Sequence, residues 1–310
     1  MAAFSFHEGS PEGLAFHVDP GIFHDPKHLL LQAQSGWITF YVKAGSFVEG
    51  LVHLNLRDGD AVSPYRSPFG SFIFSDAVNQ ATLHEFIGFC EKRLKDRDIT
   101  TITLKHQPEI YAPQKNLDTE VVLQAAGYKI QFAETSAIIA VTGESFESGL
   151  HRSEKKRLRK CRDSRLVFES ASIDQLQKVY TFLEACREEK GYSLSMSFPD
   201  IEKLANAFPD RLLLTRVVDK SQMVAANISM RIYNDVLYNF YHDHSGEYDH
   251  LSPVVLLNEG LYQYCQHQKI RLLDLGTSNL DGKLNESLLN FKLRLGARPS
   301  RKITFTKQLS

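Results

Sequence analysis

The chain has 310 residues, of which 43% are hydrophobic and 24% are charged, and its formal net charge is -1. This is enough chain for one large domain or two ordinary ones, with a globular composition. The balanced charge excludes a global field that attracts nucleic acid or an anionic membrane, so such attraction requires a local patch. No apolar run is long enough to span a membrane, and the N-terminal residues do not resemble a secretion signal. The four cysteines are far apart without a CxxC pair, which favours reduced thiols and a cytoplasmic protein.

The first half predicts a mixed set of strands and helices. A segment rich in His, Pro and Gly runs to about Gln34, and we expect it to wrap over the lobe that follows. Alternating apolar residues and helical spacing then define the elements. In chain order these are strands Trp37–Lys43 and Phe47–Leu56, a Pro- and Gly-containing loop Ser63–Gly70, helix Val78–Lys95, strand Ile99–Leu104, helix Leu117–Ala126 and two short strands ending near Val141.

The second half repeats this order of elements. Its predicted elements are strands Leu212–Val218, Met223–Ile232 and Val236–His242, helix Ser252–Gln268, strand Ile270–Leu275, a short helix Asn285–Leu295 and strand Arg301–Thr306. The match in order and approximate length indicates an internal duplication of one α/β unit. We therefore predict an N-terminal lobe over residues 1–148, a linker of basic helix and short strand over 149–170, and a C-terminal lobe over 171–310.

The linker carries the main charged feature. Seven Lys or Arg residues and one Glu lie within Arg152–Arg162. This local positive patch could contact tRNA or the phosphates of a cofactor. A solvated helix face that keeps the protein soluble is the alternative, and the shortage of aromatic residues argues against single-strand binding.

A strong helix start lies in the second half. In Asp249–Leu257, Ser252 occupies the expected N-cap and Pro253 the first helical position. The free N–H groups and the dipole at a helix start suit a phosphate or pyrophosphate, and the alternative is a capped helix that binds nothing. The predicted cofactor-binding residues are His250, Leu251, Ser252, Pro253 and Val254.

Four segments taken in order resemble a known superfamily. They are the loop SPYRSPFG at Ser63–Gly70, SEKKRLRK at Ser153–Lys160, LSP at Leu251–Pro253, and the pair LDLGTS and NFKLRLGA at Leu273–Ser278 and Asn290–Ala297. Together they resemble the GNAT-type acyltransferases, and more narrowly the Fem-like branch with two tandem lobes. The resemblance implies an α/β fold of two tandem GNAT-like lobes, each a mixed central sheet flanked by helices.

The same resemblance implies a function. It suggests a bacterial, cytoplasmic N-acyltransferase that moves an acyl group from acyl-CoA to a small-molecule or peptide amine in a cleft between the lobes. A first alternative is aminoacyl transfer from tRNA to a peptidoglycan precursor. A second is a non-catalytic binding module, because Gly246–Val254 holds one glycine where GNAT proteins usually have a glycine-rich turn.

The resemblance also suggests catalytic side chains. Lys292 would hold a phosphate or stabilise an oxyanion, and Asp274 would accept a proton from the attacking amine. The alternatives are a surface lysine and an aspartate that makes a turn hydrogen bond. His242 is a third candidate, because the strand residues Tyr238, Phe240 and His242 share one face.

Further residues are candidates for substrate binding. An Arg beside aromatic residues on a rigid loop can clamp a carboxylate or a peptide-like acceptor, and a rigid connection is the alternative. The candidates are Tyr65, Arg66, Phe69, Tyr241, Ser278 and Asn279. We predict no metal site, because neither the histidines near the N-terminus nor those of 242–250 have the spacing of known zinc motifs.

Overall fold

The computed structural model describes residues 3–280 and 282–309. The chain folds into two compact units, one formed by Met1–Glu134 with Ser300–Ser310 and the other by Thr135–Pro299. This division differs from the sequence-based boundaries at 148 and 171. It also assigns the last residues of the chain to unit 1, whereas the sequence order assigned them to the second lobe.

Unit 1 is a mixed α/β unit. Its elements are β1 (Phe4–Glu8), β2 (Ala15–Phe16), α1 (Pro26–Gln32), β3 (Trp37–Ala44), β4 (Phe47–Arg57), β5 (Asp60–Ser63), β6 (Ile73–Phe74), α2 (Gln80–Lys95), β7 (Thr101–Lys105), α3 (Pro113–Ala125) and β8 (Lys129–Ala140), within which the chain passes to unit 2. A short 3-10 helix covers Glu109–Tyr111.

Unit 2 is also mixed. Its elements are α4 (Phe146–Gly149), α5 (Arg152–Asp163), β9 (Val167–Ala171), α6 (Leu176–Glu188), α7 (Phe198–Ala207), β10 (Leu212–Asp219), β11 (Gln222–Tyr233), β12 (Val236–His244), α8 (Pro253–His267), β13 (Leu272–Thr277), β14 (Asn279–Leu280), β15 (Lys283–Leu284), α9 (Glu286–Arg294) and β16 (Arg298–Gln308), within which the chain returns to unit 1. Short 3-10 helices cover Ile173–Gln175 and Gly246–Tyr248.

In unit 1 the strands pair in the order β1-β3-β4-β5-β7-β16. Most neighbours are antiparallel, whereas β5 and β7 are parallel. The end of β16 pairs with β7 from Thr304 to Gln308, which explains why the last residues belong to this unit. One face of the sheet buries an apolar core against α2, whose side chains recur at helical spacing.

The opposite face of this sheet is covered by the N-terminal segment. Successive residues of a strand point to opposite faces, so Leu51 and Val52 of β4 belong to different clusters. Leu14 and Val18 pack against the cluster that contains Leu51. The expectation that the N-terminal segment wraps over the lobe is therefore met.

In unit 2 the order is β8-β13-β12-β11-β10-β9. The pair β12–β13 is parallel and its neighbours are antiparallel. Helix α8 is buried along most of its length, and its side chains share a core with those of β10–β13 and α5. A Cβ atom on Gly260 would lie 2.3 Å from the ring of Phe168, so glycine allows this close approach.

The structure confirms the predicted fold class and most of the predicted elements. Two expected short strands before Val141 are one strand, β8, because its residues continue as an unbroken extended run. Helix α7 was not predicted; its Ser197 caps it, with the side chain accepting a hydrogen bond from the Asp200 N–H. Among the described residues, no helix has the length and apolar character needed to cross a membrane.

Candidate functional site

The parallel strands β12 and β13 of unit 2 run together for only a short distance. Their pairing begins at Val236 with Leu272 and ends at Tyr238 with Asp274. Strand β12 continues to His244 and β13 to Thr277 beyond the last pair. Past Tyr238 and Asp274 the two strands no longer pair with each other, so this part of β12 has no strand partner on the side of β13 within the described chain.

A buried turn follows the last pair. Asp274 is fully buried, and its Oδ1 accepts the Gly276 N–H at 2.7 Å. Lys292 of α9 is 2% exposed, and its Nζ donates to the carbonyl oxygens of Gly276 at 2.9 Å and Thr277 at 2.8 Å. The hypothesis that Lys292 is a surface residue is wrong. Asp274 makes the turn hydrogen bond that was its alternative role, and both side chains fix this turn.

The predicted residues Ser278 and Asn279 lie immediately after the turn. Ser278 is fully buried, and its hydroxyl has no hydrogen-bond partner within the described part of the chain. The Asn279 Oδ1 accepts the Thr135 N–H at 2.7 Å. A buried hydroxyl without a partner is costly, so Ser278 is the better candidate for contact with a ligand.

His242 is a half-buried residue of β12 with a lowered pKa. Burial lowers its pKa to about 3, and the positive charges of Lys292 and Arg187 contribute to the decrease. The imidazole is therefore neutral at physiological pH and is a weak base. A catalytic base works best when its pKa is near the working pH, so His242 is better suited to hydrogen bonding than to proton abstraction.

The alternation along β12 is as predicted. Tyr238, Phe240 and His242 are half-buried, whereas the intervening residues, including Tyr241, are buried. The Tyr241 hydroxyl lies 2.7 Å from Ser195 Oγ and accepts the Met196 N–H at 2.9 Å. These bonds tie Tyr241 to the loop before α7, so its side chain has a structural function.

The predicted donor site at the start of α8 has an unusual backbone. Ser252 is in the left-handed region with φ 55°, and its side chain caps none of the first-turn N–H groups. Its hydroxyl donates instead to the Asp249 carbonyl at 3.3 Å. Ser252 is the N-cap residue and Pro253 the first helical residue, as predicted, but the Ser252 side chain makes no capping hydrogen bond. Pro253 has no N–H and the Val255 N–H donates to the Ser252 carbonyl at 3.0 Å, which leaves fewer donors than a glycine-rich turn provides.

The remaining residues of this group differ in exposure. His250 is exposed, Leu251 is half-buried, and Val254 is 5% exposed. The Cys161 thiol of α5 donates to the Leu251 carbonyl at 3.2 Å. Helix α5 therefore packs against the start of α8.

The basic helix α5 has one buried and one exposed side. Glu154 is fully buried and accepts hydrogen bonds from Arg157 and Arg294. The cations of its exposed side form the basic patch, which we define as Arg152, Lys155, Lys156, Arg159 and Lys160. Arg159 lies 3.7 Å from Glu147, and no ion pair within 4.0 Å joins the other four to a described residue.

The candidate loop Ser63–Gly70 belongs to unit 1. Phe69 is 1% exposed and packs edge-on against Phe23 and Tyr111, so it is a core residue. Tyr65 is half-buried beneath the Arg57 guanidinium at 3.9 Å, whereas Arg66 is exposed. Of the three candidates, Tyr65 and Arg66 remain accessible to a ligand.

Sequence reasoning missed one functional neighbour. Arg187 of α6 donates to the His242 carbonyl at 3.3 Å and lies 3.1 Å from the Asp243 carboxylate. Its position in the sequence gave no indication of this contact. Among the described residues, no group of three or more His, Cys, Asp or Glu is arranged to hold a metal ion.

One known family matches part of the chain. Residues 150–284 match the family described as Acetyltransferase (GNAT) domain. The chain matches no curated protein sequence.

Solved structures resemble the chain over nearly its whole length. FemX shares 14% identity, with 94% of each chain covered and a TM-score of 0.72. L-PGS from Bacillus licheniformis shares 12% identity, with 93% of this chain and 92% of that chain covered and a TM-score of 0.56. A tandem GNAT protein from the clavulanic acid biosynthesis pathway shares 12% identity over 99% of each chain, with a TM-score of 0.53. Residues 150–284 therefore match the GNAT acetyltransferase family, and the chain as a whole has a fold similar to those of FemX and of a tandem GNAT protein.

Proposed function

We propose that the protein is an N-acyltransferase that moves an acyl group from acyl-CoA to an amine, with the reaction in unit 2. The observation that carries this proposal is the separation of β12 from β13 after Tyr238 and Asp274. Backbone N–H groups of β12 past this pair can bind the thioester carbonyl and stabilise its developing negative charge.

The reaction requires little from side chains. The neutral amine attacks the thioester carbonyl carbon, a C–N bond forms, the C–S bond breaks, and the amine proton ends on the departing thiol. His242 remains neutral, so it can accept a hydrogen bond from the amine without being protonated. Asp274 and Lys292 hold the turn that forms one wall. We assign these two as positioning residues.

The acyl-CoA pyrophosphate is proposed to bind at the start of α8. Support comes from the absence of a side-chain cap at Ser252, since an uncapped first turn leaves positive dipole for an anion. The test is binding of an acyl-CoA panel by calorimetry to wild type, Ser252→Asp and Ser252→Asn. The aspartate is expected to weaken binding at least about tenfold, because its negative charge repels the pyrophosphate. The asparagine has a similar size and capping ability but no charge, so it is expected to leave the affinity unchanged. Equal affinities in all three proteins, or no binding to wild type, would contradict the donor assignment.

The second candidate is aminoacyl transfer from tRNA, which the basic patch of α5 favours. A patch that contacts tRNA phosphates gives affinity that falls steeply with salt. The triple variant Lys155→Gln, Lys156→Gln and Arg159→Gln is expected to lose that affinity, whereas a matched triple at Lys178, Lys203 and Lys220 is not. Salt-independent binding, or equal loss in both triples, would exclude this donor.

The third candidate is a non-catalytic binding module. It predicts that acyl-CoA with any amine of a broad panel yields no amide detectable by mass spectrometry. It also predicts that substitution of Asp274 or Lys292 alters no measurable activity. Amide formation that depends on Lys292 rejects it.

A further inference from the structure

Four buried histidines converge in unit 1, away from the proposed acyl-transfer site. His24 and His28 belong to the N-terminal segment, His53 to β4, and His106 follows β7. Their exposed fractions are 3%, 6%, 5% and 5%. The rings of His24 and His53 lie 5.5 Å apart between centroids, and the three other histidines all act electrostatically on His24. We call these residues the histidine cluster.

Hydrogen bonds determine which ring nitrogens carry protons. The Asn116 amide nitrogen donates to the carbonyls of Pro108 and Glu109, so its oxygen accepts from His106 Nε2 at 2.9 Å. His106 Nδ1 is then a lone pair, and it has no partner among the described residues. Gln32 likewise accepts the Arg66 N–H through its oxygen and donates to His28 Nδ1.

His24 is the least satisfied member. Both of its ring nitrogens are buried and lack a hydrogen-bond partner among the described residues. A buried polar atom without a partner costs about 1–3 kcal/mol, and an unpaired buried charge costs more. A proton on this ring would therefore place an imidazolium where no acceptor lies.

Among the described residues, the charged groups that act on His24 are the three other histidines. Burial lowers the pKa of His28, His53 and His106 to about 4, and it also lowers that of His24, together with repulsion from the other three. The charged groups on the surrounding elements have other contacts: Glu49 with His17 and Ser75, Asp25 at the start of α1, Arg57 and Arg66 over Tyr65, Lys105 with Glu134, and Lys115 with Asp76.

We propose that the histidine cluster is an acid-sensitive lock that holds the N-terminal segment against the sheet of unit 1. Two of its members lie on the segment and two on the unit beneath it, so an opening movement separates His24 and His28 from His53 and His106. Protonation of any one ring disfavours the closed arrangement, and repulsion makes the second proton harder to accommodate without opening. Release of Gln32 also frees the loop that carries Tyr65 and Arg66.

The closed form is expected to be less stable at acidic than at neutral pH, because burial lowers the pKa values of its histidines. The closed form keeps the rings neutral to about pH 4, whereas exposed rings take up protons near pH 6.5. Stability of the closed form is therefore fully present above pH 6.5 and is lost as the pH falls toward 4.

Hydrogen exchange of the full chain, corrected for the intrinsic pH dependence, tests this proposal. Between pH 7.5 and 5, protection of residues 17–34 is expected to fall on the order of 100-fold, while α2 remains protected. His24→Phe, which keeps an aromatic ring without a proton site, should reduce this dependence. His84→Phe on the exposed side of α2 is the matched control and should behave as wild type.

Two results would overturn the proposal. One is protection of residues 17–34 that is independent of pH down to pH 5, or that is lost together with α2. The other is an equal effect of both variants. If His24→Phe does not fold, NMR titration of the wild-type histidines decides the question. Cooperative uptake of more than one proton as the segment opens supports the lock, and independent titration near pH 6.5 in a protected segment rejects it.

Discussion

The Nζ atom of Lys292 lies 2.9 Å from the carbonyl oxygen of Gly276, inside unit 2 and with 2% of the lysine exposed. This contact joins α9 to the turn that ends β13, and the same ammonium also binds the Thr277 carbonyl. A buried cation is thus held by backbone oxygens, beside the point where β12 and β13 separate.

Replacement of Lys292 should change both the stability of the protein and the pKa of His242. Lys292→Met leaves two buried carbonyls without their donor, so we expect the free energy of unfolding to fall by about 1–3 kcal/mol. Loss of its charge should also raise the pKa of His242, which Lys292 lowers. Denaturant titration and NMR titration of His242 measure the two effects. Lys283→Met, on the exposed β15, should change neither, and an unchanged His242 would disprove the electrostatic link.

The pH dependence of acyl transfer should not report His242. Because its pKa lies near 3, the imidazole has the same charge from pH 5 to pH 8. The rate should instead rise with pH as the acceptor amine loses its own proton. We expect the ratio of kcat/KM between wild type and His242→Asn to be constant over this range. If kcat/KM of the wild type rises through pH 6.5 and that of the variant does not, His242 is the base.

The left-handed backbone at Ser252 should carry a measurable strain. A non-glycine residue in this region costs about 1–2 kcal/mol, part of which glycine loses again through chain entropy. Ser252→Gly is therefore expected to raise the free energy of unfolding by about 0.5–1 kcal/mol. Ser245→Gly, where φ is -65°, is the matched control and should destabilise. Destabilisation by both substitutions would show that Ser252 is not strained.

The contact between Gly260 and Phe168 should be intolerant of a methyl group. Alanine favours a helix over glycine by about 1 kcal/mol, but its Cβ would lie 2.3 Å from the Phe168 ring. We expect Gly260→Ala to lower the free energy of unfolding by about 1–3 kcal/mol.

A second substitution tests the cause of that loss. Phe168→Leu should cost less in the Gly260→Ala background than in wild type, because it removes the clashing ring. Additive effects of the two substitutions in thermal or denaturant unfolding would mean that the two residues do not interact.

Local sequence signals were sufficient for most of the elements and their order. Alternation predicted β3 and β12 because one face of each strand is more buried than the other and the chain alternates between faces. Strands β4 and β11 were also predicted, although both of their faces are buried. The start of α8 was predicted from Ser252 and Pro253, because proline suits the first helical position. That prediction is confirmed, whereas the left-handed backbone of Ser252, which leaves its side chain without a capping hydrogen bond, had no signal in the sequence.

Prediction of the candidate site would have required knowledge of contacts between residues far apart in sequence. Asp274 and Lys292 were named from motifs, yet their burial and shared turn depend on α9 packing behind β13. Arg187 beside His242 had no local signal at all.

The sequence by itself determined the α/β class, the duplicated order of elements and the motifs that resemble GNAT proteins, because these depend on local periodicity and spacing. Only the tertiary structure decided that Lys292 is buried, that His242 is a weak base, that Phe69 is a core residue and that four dispersed histidines form one cluster. Burial, acidity and hydrogen bonding of a side chain are set by neighbours that the folded chain brings together, and these are not encoded in any short stretch of sequence.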